Sequence, residues 1–587
     1  MKKKTNKILH SLLRIKRLVN VTDNVKYYIC VAFIAGTIKY SAPLIITSVT
    51  SQVVDSVLLN DSLTSAERAM LLMRYVFLVI AIFLIVWAPS TYFRQYLTEL
   101  ITVKITSKLR SKLSNHIFSL PFYFFQRKQS GEINTIIISD INAVANLVSG
   151  GLVYIWIDLS SIFITTCLIV YENPLVGGTS VLSLPVYLYL MRYFRGIVKN
   201  ISCTIQNIQG EFSDYIHDRL SNIDSVKNYN AQNIEEKNAH NIINRYEKEF
   251  LKRSKIKSLN LLVMGQLTQL PSVIILAFGG YEVIYGKLSV GSFIAITMYI
   301  RQIFWPLDRV AEFNINLAAA TASLDRIYQI LNVTTECELY HCQSKFPDKF
   351  NAISFKDVSV SYASNNKPIL SNISFSINKG EVLAIAGPSG SGKTTLARLL
   401  ERSINCNTGE ICIDNTNINK IKLTEYRKNI KIVPQNPVLF SDTIAMNISY
   451  PNKEIPINQL YNAAIKSGSL SFILKCPEKF DYHVGERGNF LSGGQRQRLA
   501  IARALAAKGH IYIFDESTAS LDTESERAFY EMIRELRLDN TIIIIAHRPA
   551  VFDLADRVIL INNGKLEADG SPEYLKIHSP LFRKLTG

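Results

Sequence analysis

The sequence predicts a multidomain chain, an α-helical six-span transmembrane domain followed by a soluble α/β domain, and three observations predict it. At 587 residues the chain is too long for one compact core. Residues up to about 320 carry long apolar stretches separated by basic segments, whereas the stretch from about 350 onward has the mixed composition of a soluble fold. Six windows in the first part approach the roughly 20 apolar residues needed to cross a bilayer.

Those windows are Tyr28 to Val49, Met70 to Trp87, Leu147 to Tyr171, Leu175 to Met191, Leu259 to Tyr281 and Gly291 to Val310. The connections Arg94 to Asn142 and Arg192 to Ser258 are long and rich in Lys and Arg, while the other three are short. Basic loops stay on the cytosolic side, so both termini are expected in the cytosol. This pattern implies a multi-pass protein of the cell membrane, in contact with membrane lipid, and of the inner membrane if the source is bacterial. Apolar positions recur at helical spacing through Val103 to Phe118 and Ile208 to Phe250, which predicts extensions of the membrane helices into the cytosol. The expected boundaries are 1–27 for a basic amphipathic N-terminal segment, 28–331 for the membrane domain, 332–350 for a linker and 351–587 for the α/β domain.

The formal net charge of +17 lies in loops flanking the apolar runs, so it is assigned to membrane topology and no nucleic-acid partner is expected. The eight cysteines, at 30, 167, 203, 337, 342, 406, 412 and 476, lack the paired short spacings of a zinc site or disulfide framework. Polar residues inside spans are costly and usually face a cavity or each other. Lys39, Asp158, Gln266, Gln269 and Arg301 are therefore candidates for a substrate cavity.

In the second part, Gly387-Pro388-Ser389-Gly390-Ser391-Gly392-Lys393-Thr394 matches G-x-x-x-x-G-K-[ST] between a strand-like run, Glu381 to Ala386, and a helical run from Thr395. Glycines let backbone N–H groups wrap phosphates at a helix end, Lys393 reaches the terminal phosphates and the Thr394 hydroxyl binds Mg²⁺. The apolar run Ile511 to Phe514 ends in Asp515 and Glu516, which suits one carboxylate to Mg²⁺ and the other to polarising the attacking water. ATP and Mg²⁺ are the cofactors this pattern calls for.

Leu491-Ser492-Gly493-Gly494-Gln495, followed by Arg496 and Arg498, resembles the signature of the ATP-binding cassette (ABC) family. The resemblance implies that Ser492 and the glycines contact nucleotide held by an opposite subunit, hence a homodimer or a pair with a homologous half-transporter. Tyr362 resembles the aromatic that stacks on adenine, Gln435 the glutamine linking Mg²⁺ and water to the membrane domain, Asp522 the loop crossing the dimer interface, and His547 the switch histidine. Leu120 to Phe125, Gly131 to Ile133, Asp140, Val290 to Phe293 and Pro306-Leu307 are similar to the membrane half of exporter-type half-transporters, with coupling helices expected near Arg110 to Leu120 and Asp214 to Ile223. Asn222 departs from that pattern, which carries a glycine there.

The resemblance implies an ATPase coupled to transport: Glu516, His547, Gln435 and Lys393 as catalytic residues, the loop 387–395 with Thr395 around ATP, and alternating access exporting an amphipathic peptide, lipid or drug-like compound. An importer on the same fold, for example of a metal chelate, and a nucleotide-gated channel or regulator are the alternatives it leaves open.

Overall fold

The structure, a computed structural model, describes residues 25–128, 130–181, 183–340, 344–347, 349–361, 368–546 and 548–586. The expected N-terminal amphipathic segment therefore lies outside the described residues. The chain divides into two compact units, residues 1–114 with 134–330 and residues 115–133 with 331–587.

The first unit is helical. Among the described residues six helices are long and apolar enough to cross a membrane: α1 (Val25–Leu58), α2 (Ser65–Phe118), α3 (Ser130–Glu172), α4 (Pro174–Ser221), α5 (Gln232–Ile284) and the stretch Val290–Val310. The last is the beginning of α6 (Val290–Leu331). Each contains one of the windows predicted from sequence. At 1.5 Å per residue the 54 residues of α2 extend about 80 Å, well beyond a hydrocarbon core of about 30 Å. No residue of Ser65–Ala81 or Ile82–Trp87 is buried, and Phe77, Leu84 and Ile85 are largely exposed. An apolar face of that size is stable only against lipid or another chain.

Packing in this unit centres on Tyr187, Tyr299, Ile300, Ile303 and Phe304, with Tyr187 and Phe304 edge to face at 5.0 Å. Asp140 joins α3 to α6: its carboxylate accepts from Arg326 at 2.7 and 2.6 Å and from Ser323 at 2.8 Å. The connection between the fourth and fifth windows is helical to Ser221 and turns at Asn222, whose amide donates to the Asp218 carbonyl at 2.9 Å, before a short helix at Ile223–Asn228.

The second unit carries two sheets. Strands β1 (Ala352–Val360), β2 (Leu370–Asn378), β4 (Thr408–Ile413) and β5 (Thr416–Asn417) form an antiparallel sheet in the order β2-β1-β4-β5. Strands β3 (Val382–Ala386), β6 (Ile430–Val433), β7 (Ile511–Asp515), β8 (Thr541–Ile545), β9 (Arg557–Asn562) and β10 (Lys565–Gly570) form the other, in the order β10-β9-β3-β8-β7-β6. It is parallel apart from β10. Every residue of β3, β7 and β8 is buried, as strands covered on both faces must be, which explains runs such as Thr541-Ile-Ile-Ile-Ile545 that lack alternation.

One core, with Phe355 stacked on Phe375 at 4.4 Å, fills the space beside the antiparallel sheet; another, with Phe514 against Phe529 at 5.3 Å, backs the opposite face of the parallel sheet. Phe346 and Phe350, in the stretch expected to be a linker, are buried in the first of these. Residues 115–133 also belong with this unit, and the Glu336 N–H donates to the Ser119 carbonyl at 3.0 Å.

Phe514 is fully buried, so Phe514→Ala is expected to lower the stability of the second unit by about 3–5 kcal/mol. Denaturant unfolding followed by far-UV dichroism measures it, and a loss under about 1 kcal/mol would contradict this packing.

Candidate functional site

Parallel strands put their carboxyl ends on one edge of a sheet, and ligands of such sheets bind there. In this register Ile385 of β3, Ile545 of β8 and Asp515 of β7 lie in line, so the segments leaving the three strands share one edge. The glycine-rich loop leaves β3 and enters α7 (Lys393–Leu400), whose N-cap is Gly392. Gly387 (φ 154°) and Gly392 (φ 108°) hold positive φ angles. A Cβ on Gly387 would lie 2.2 Å from the Ile561 carbonyl, and one on Gly392 2.6 Å from Leu370. The pattern of glycines therefore reflects close backbone packing as well as a phosphate-sized turn.

Lys393 is buried, and its ammonium donates to the carbonyls of Gly387 at 2.9 Å and Pro388 at 2.8 Å, which folds it back along the loop. Burial pulls its pKa below the ordinary lysine value, opposed by the nearby Glu516 and Asp515. Thr394 is exposed at the same helix end, and Thr395 is buried. Among the other loop residues Pro388 is half-buried, Ser389 and Gly390 are open, and the buried Ser391 hydroxyl has no hydrogen-bond partner among the described residues.

Asp515 closes β7 with a side chain 6% exposed. Burial, and secondarily Glu516, push its carboxyl up to about 6, with Lys393 pulling the other way. Its Oδ1 is buried without a hydrogen-bond partner among the described residues. A desolvated carboxylate oxygen with an open lone pair suits a hard cation. Glu516 turns out of the strand at φ 47°, a left-handed conformation rare for a residue with a side chain. Its own N–H still donates to the Ile545 carbonyl at 2.9 Å. The Gln435 amide N–H donates to Glu516 Oε2 at 2.5 Å, which leaves the Gln435 amide oxygen to accept or ligate. Thr394, Gln435 and Asp515 together offer only oxygen donors, the set that fits Mg²⁺.

The signature sequence opens α8 (Gly493–Ala506). Ser492 is its N-cap: the Gln495 N–H donates to Ser492 Oγ at 3.2 Å, and the Ser492 N–H donates to Gln495 Oε1 at 2.8 Å. This reciprocal cap was legible as S-x-x-Q. A Cβ on Gly494 would lie 2.8 Å from the Ser520 carbonyl, so the glycine admits the loop leading to Asp522. Asp522 in turn caps α9 (Thr523–Leu536), accepting from the Ser525 N–H at 2.9 Å. Thus the structure groups loop 387–395 with Asp515, Glu516 and Gln435, and groups Ser492 to Gln495 with the Asp522 loop. Tyr362 and His547 lie outside the described residues.

The candidate cavity residues separate. Arg301 donates to Gln269 Oε1 at 3.1 Å on an exposed part of the bundle. Asp158 instead bonds Arg309, a residue not selected from sequence because it stands at the last turn of the sixth apolar window. Lys39 lies over the Tyr40 ring, and Arg309 donates to the Tyr40 hydroxyl. Described cysteines are free, and Cys342 lies outside the described residues.

Comparison with known proteins gives concordant results. The pattern for the ABC transporter transmembrane region matches residues 26–307, and that for the ABC transporter matches residues 370–519. A Staphylococcus aureus (strain N315) protein named as a multidrug export ATP-binding/permease protein is 31% identical over 557 residues, 95% of this chain and 96% of that one. One from Bacillus subtilis (strain 168), of the same naming, is 28% identical over 575 residues, 97% and 98% of the two chains. A solved structure of a bacterial Atm1-family ABC exporter with ATP bound superposes with a TM-score of 0.81 at 24% identity, covering 96% of this chain and 98% of that one, and shares the fold. Matches to both halves and a relative 31% identical over nearly the whole of both chains show that this chain belongs to the ABC transporter family, as a multi-pass membrane protein that couples ATP hydrolysis to transport.

Proposed function

We propose that the protein exports amphipathic compounds, working as a homodimer in the cell membrane with both termini cytosolic. The observation that carries the catalytic part is the pairing of Gln435 with Glu516 beside the open oxygen of Asp515. Loop 387–395 cradles the ATP phosphates, with Lys393 turning from its carbonyl partners to the terminal phosphates and Tyr362 stacking on the base. Thr394, Gln435 and Asp515 would hold Mg²⁺, and the chemistry it would supply there is positive charge against that developing on the transferred phosphoryl group. Glu516 orients the attacking water and His547 contacts the γ-phosphate.

Ser492, Gly493, Gly494, Gln495 and the Asp522 loop complete the site of a second copy. A helix N-terminus attracts phosphate, and α8 presents its own already capped. Differential affinity of ATP for the closed pair then drives the switch of the membrane helices, and hydrolysis releases it. Relatives named for multidrug export support an amphipathic cargo and outward direction.

In reconstituted vesicles whose ATPase units face outward, ATP with Mg²⁺ is expected to accumulate an amphipathic dye. Glu516→Gln is expected to lower steady hydrolysis by about a hundredfold or more while retaining ATP binding. Unchanged turnover in that variant would remove Glu516 from the chemistry.

Asp515 also sets a pH dependence. Its carboxyl, raised to about 6, is ionised above that pH and neutral below it. Protons and Mg²⁺ compete for it, so the Mg²⁺ concentration giving half-maximal hydrolysis is expected to rise as pH falls from about 7.5 to about 5.5, with excess Mg²⁺ restoring the rate. Equal Mg²⁺ requirements at both pH values would show that Asp515 is not a ligand.

A further inference from the structure

Charges within membrane spans are costly unless paired or turned toward something polar. Four charged groups meet here, one from each of four membrane-spanning helices. Arg309 of α6 bonds Asp158 of α3 and donates to the Tyr40 hydroxyl at 2.5 Å. Arg94 of α2, 6% exposed, donates to the Tyr154 hydroxyl and, at 3.1 Å, to Gln95. The Lys39 ammonium of α1 stands 5.4 Å from the centre of the Tyr40 ring. Helix packing keeps them together: a Cβ on Gly36 would lie 2.1 Å from Ile157 and 3.6 Å from Arg94, so α1, α2 and α3 press against each other one turn from Lys39.

The charges do not balance. Asp158 answers Arg309, and among the described residues neither Lys39 nor Arg94 has a carboxylate partner. Both Arg94 Nε and Arg309 Nε are buried donors without an acceptor among the described residues. Beside the cations lies apolar surface: the Arg309 guanidinium sits 4.4 Å from the ring of Trp305, which is 63% exposed. Unmatched cations and open N–H groups next to an exposed aromatic ring form a complement to a negative head on an apolar body.

We propose that Lys39, Arg94 and Arg309 bind the carboxylate, sulfonate or phosphate head of an anionic amphiphile while Trp305 and Tyr40 take its apolar body. The inference rests on the transport reading above and gives it a substrate class. Asp158 fixes the Arg309 guanidinium and keeps the cluster from holding the anion too firmly to release it.

The test uses the full chain in phosphatidylcholine vesicles with its ATPase units outward, and three dansyl-decyl probes ending in a carboxylate, its methyl ester or a trimethylammonium. ATP-dependent uptake of the carboxylate is expected at an apparent KM at least about tenfold below that of the trimethylammonium probe. Lys39→Gln and Arg94→Gln are each expected to erase most of that preference, and Lys39→Arg, which keeps the charge, to retain it. Equal or better uptake of the trimethylammonium probe by the unaltered protein overturns this site and leaves export standing. A carboxylate preference that survives Lys39→Gln and Arg94→Gln likewise overturns it. Absence of ATP-dependent uptake for all three probes overturns the proposed export of amphipathic compounds together with the inference.

Discussion

The backbone of the parallel sheet is the constraint on which the second unit depends. Only because β3, β8 and β7 run side by side in register do three segments far apart in sequence leave the sheet at one edge. The burial that makes those strands stable also desolvates the residues at their carboxyl ends. Asp515 is the last residue of a strand covered on both faces, and that position raises its pKa and strips one oxygen of partners among the described residues. Lys393 bears a similar desolvation cost at the end of the loop leaving β3. Fold stability and phosphate chemistry therefore come from the same hydrogen-bonded ladder.

In the membrane unit the governing constraint is the cost of charge in a low-dielectric setting. Asp158, 1% exposed, is tolerable because Arg309 neutralises it. The Asp140 carboxylate is met by three hydrogen bonds from α6. Both links tie α3 to α6, so a movement of either helix is transmitted to the other along two polar contacts as well as by packing. Lys39 and Arg94 have no such carboxylate among the described residues.

Much of this was legible from residues alone, and the reasons differ by element. The six spans were readable because a bilayer imposes a length, and each predicted window falls inside a long helix. Loop 387–394 and the Asp515-Glu516 pair were readable because their chemistry fixes residue type and spacing. The Ser492–Gln495 cap has its signal in the sequence as S-x-x-Q. Other features had no local signal. The left-handed turn at Glu516 and the folding back of Lys393 depend on tertiary packing. Arg309 was missed because its partner is 151 residues away and its own position, at the end of an apolar window, reads as a cytosolic flank.

In the proposed dimer each ATP is enclosed by the phosphate loop of one copy and the Ser492 helix end of another. The most direct measurement mixes two inactive variants, Lys393→Ala, which spoils the loop, and Gly494→Asp, which places a negative charge at the α8 N-terminus, and tracks ATP hydrolysis by the co-purified pair. A mixed dimer contains one site with both parts intact, so hydrolysis well above that of either parent is expected. Activity no greater than that of the parents, in a verified mixed dimer, would contradict the shared site.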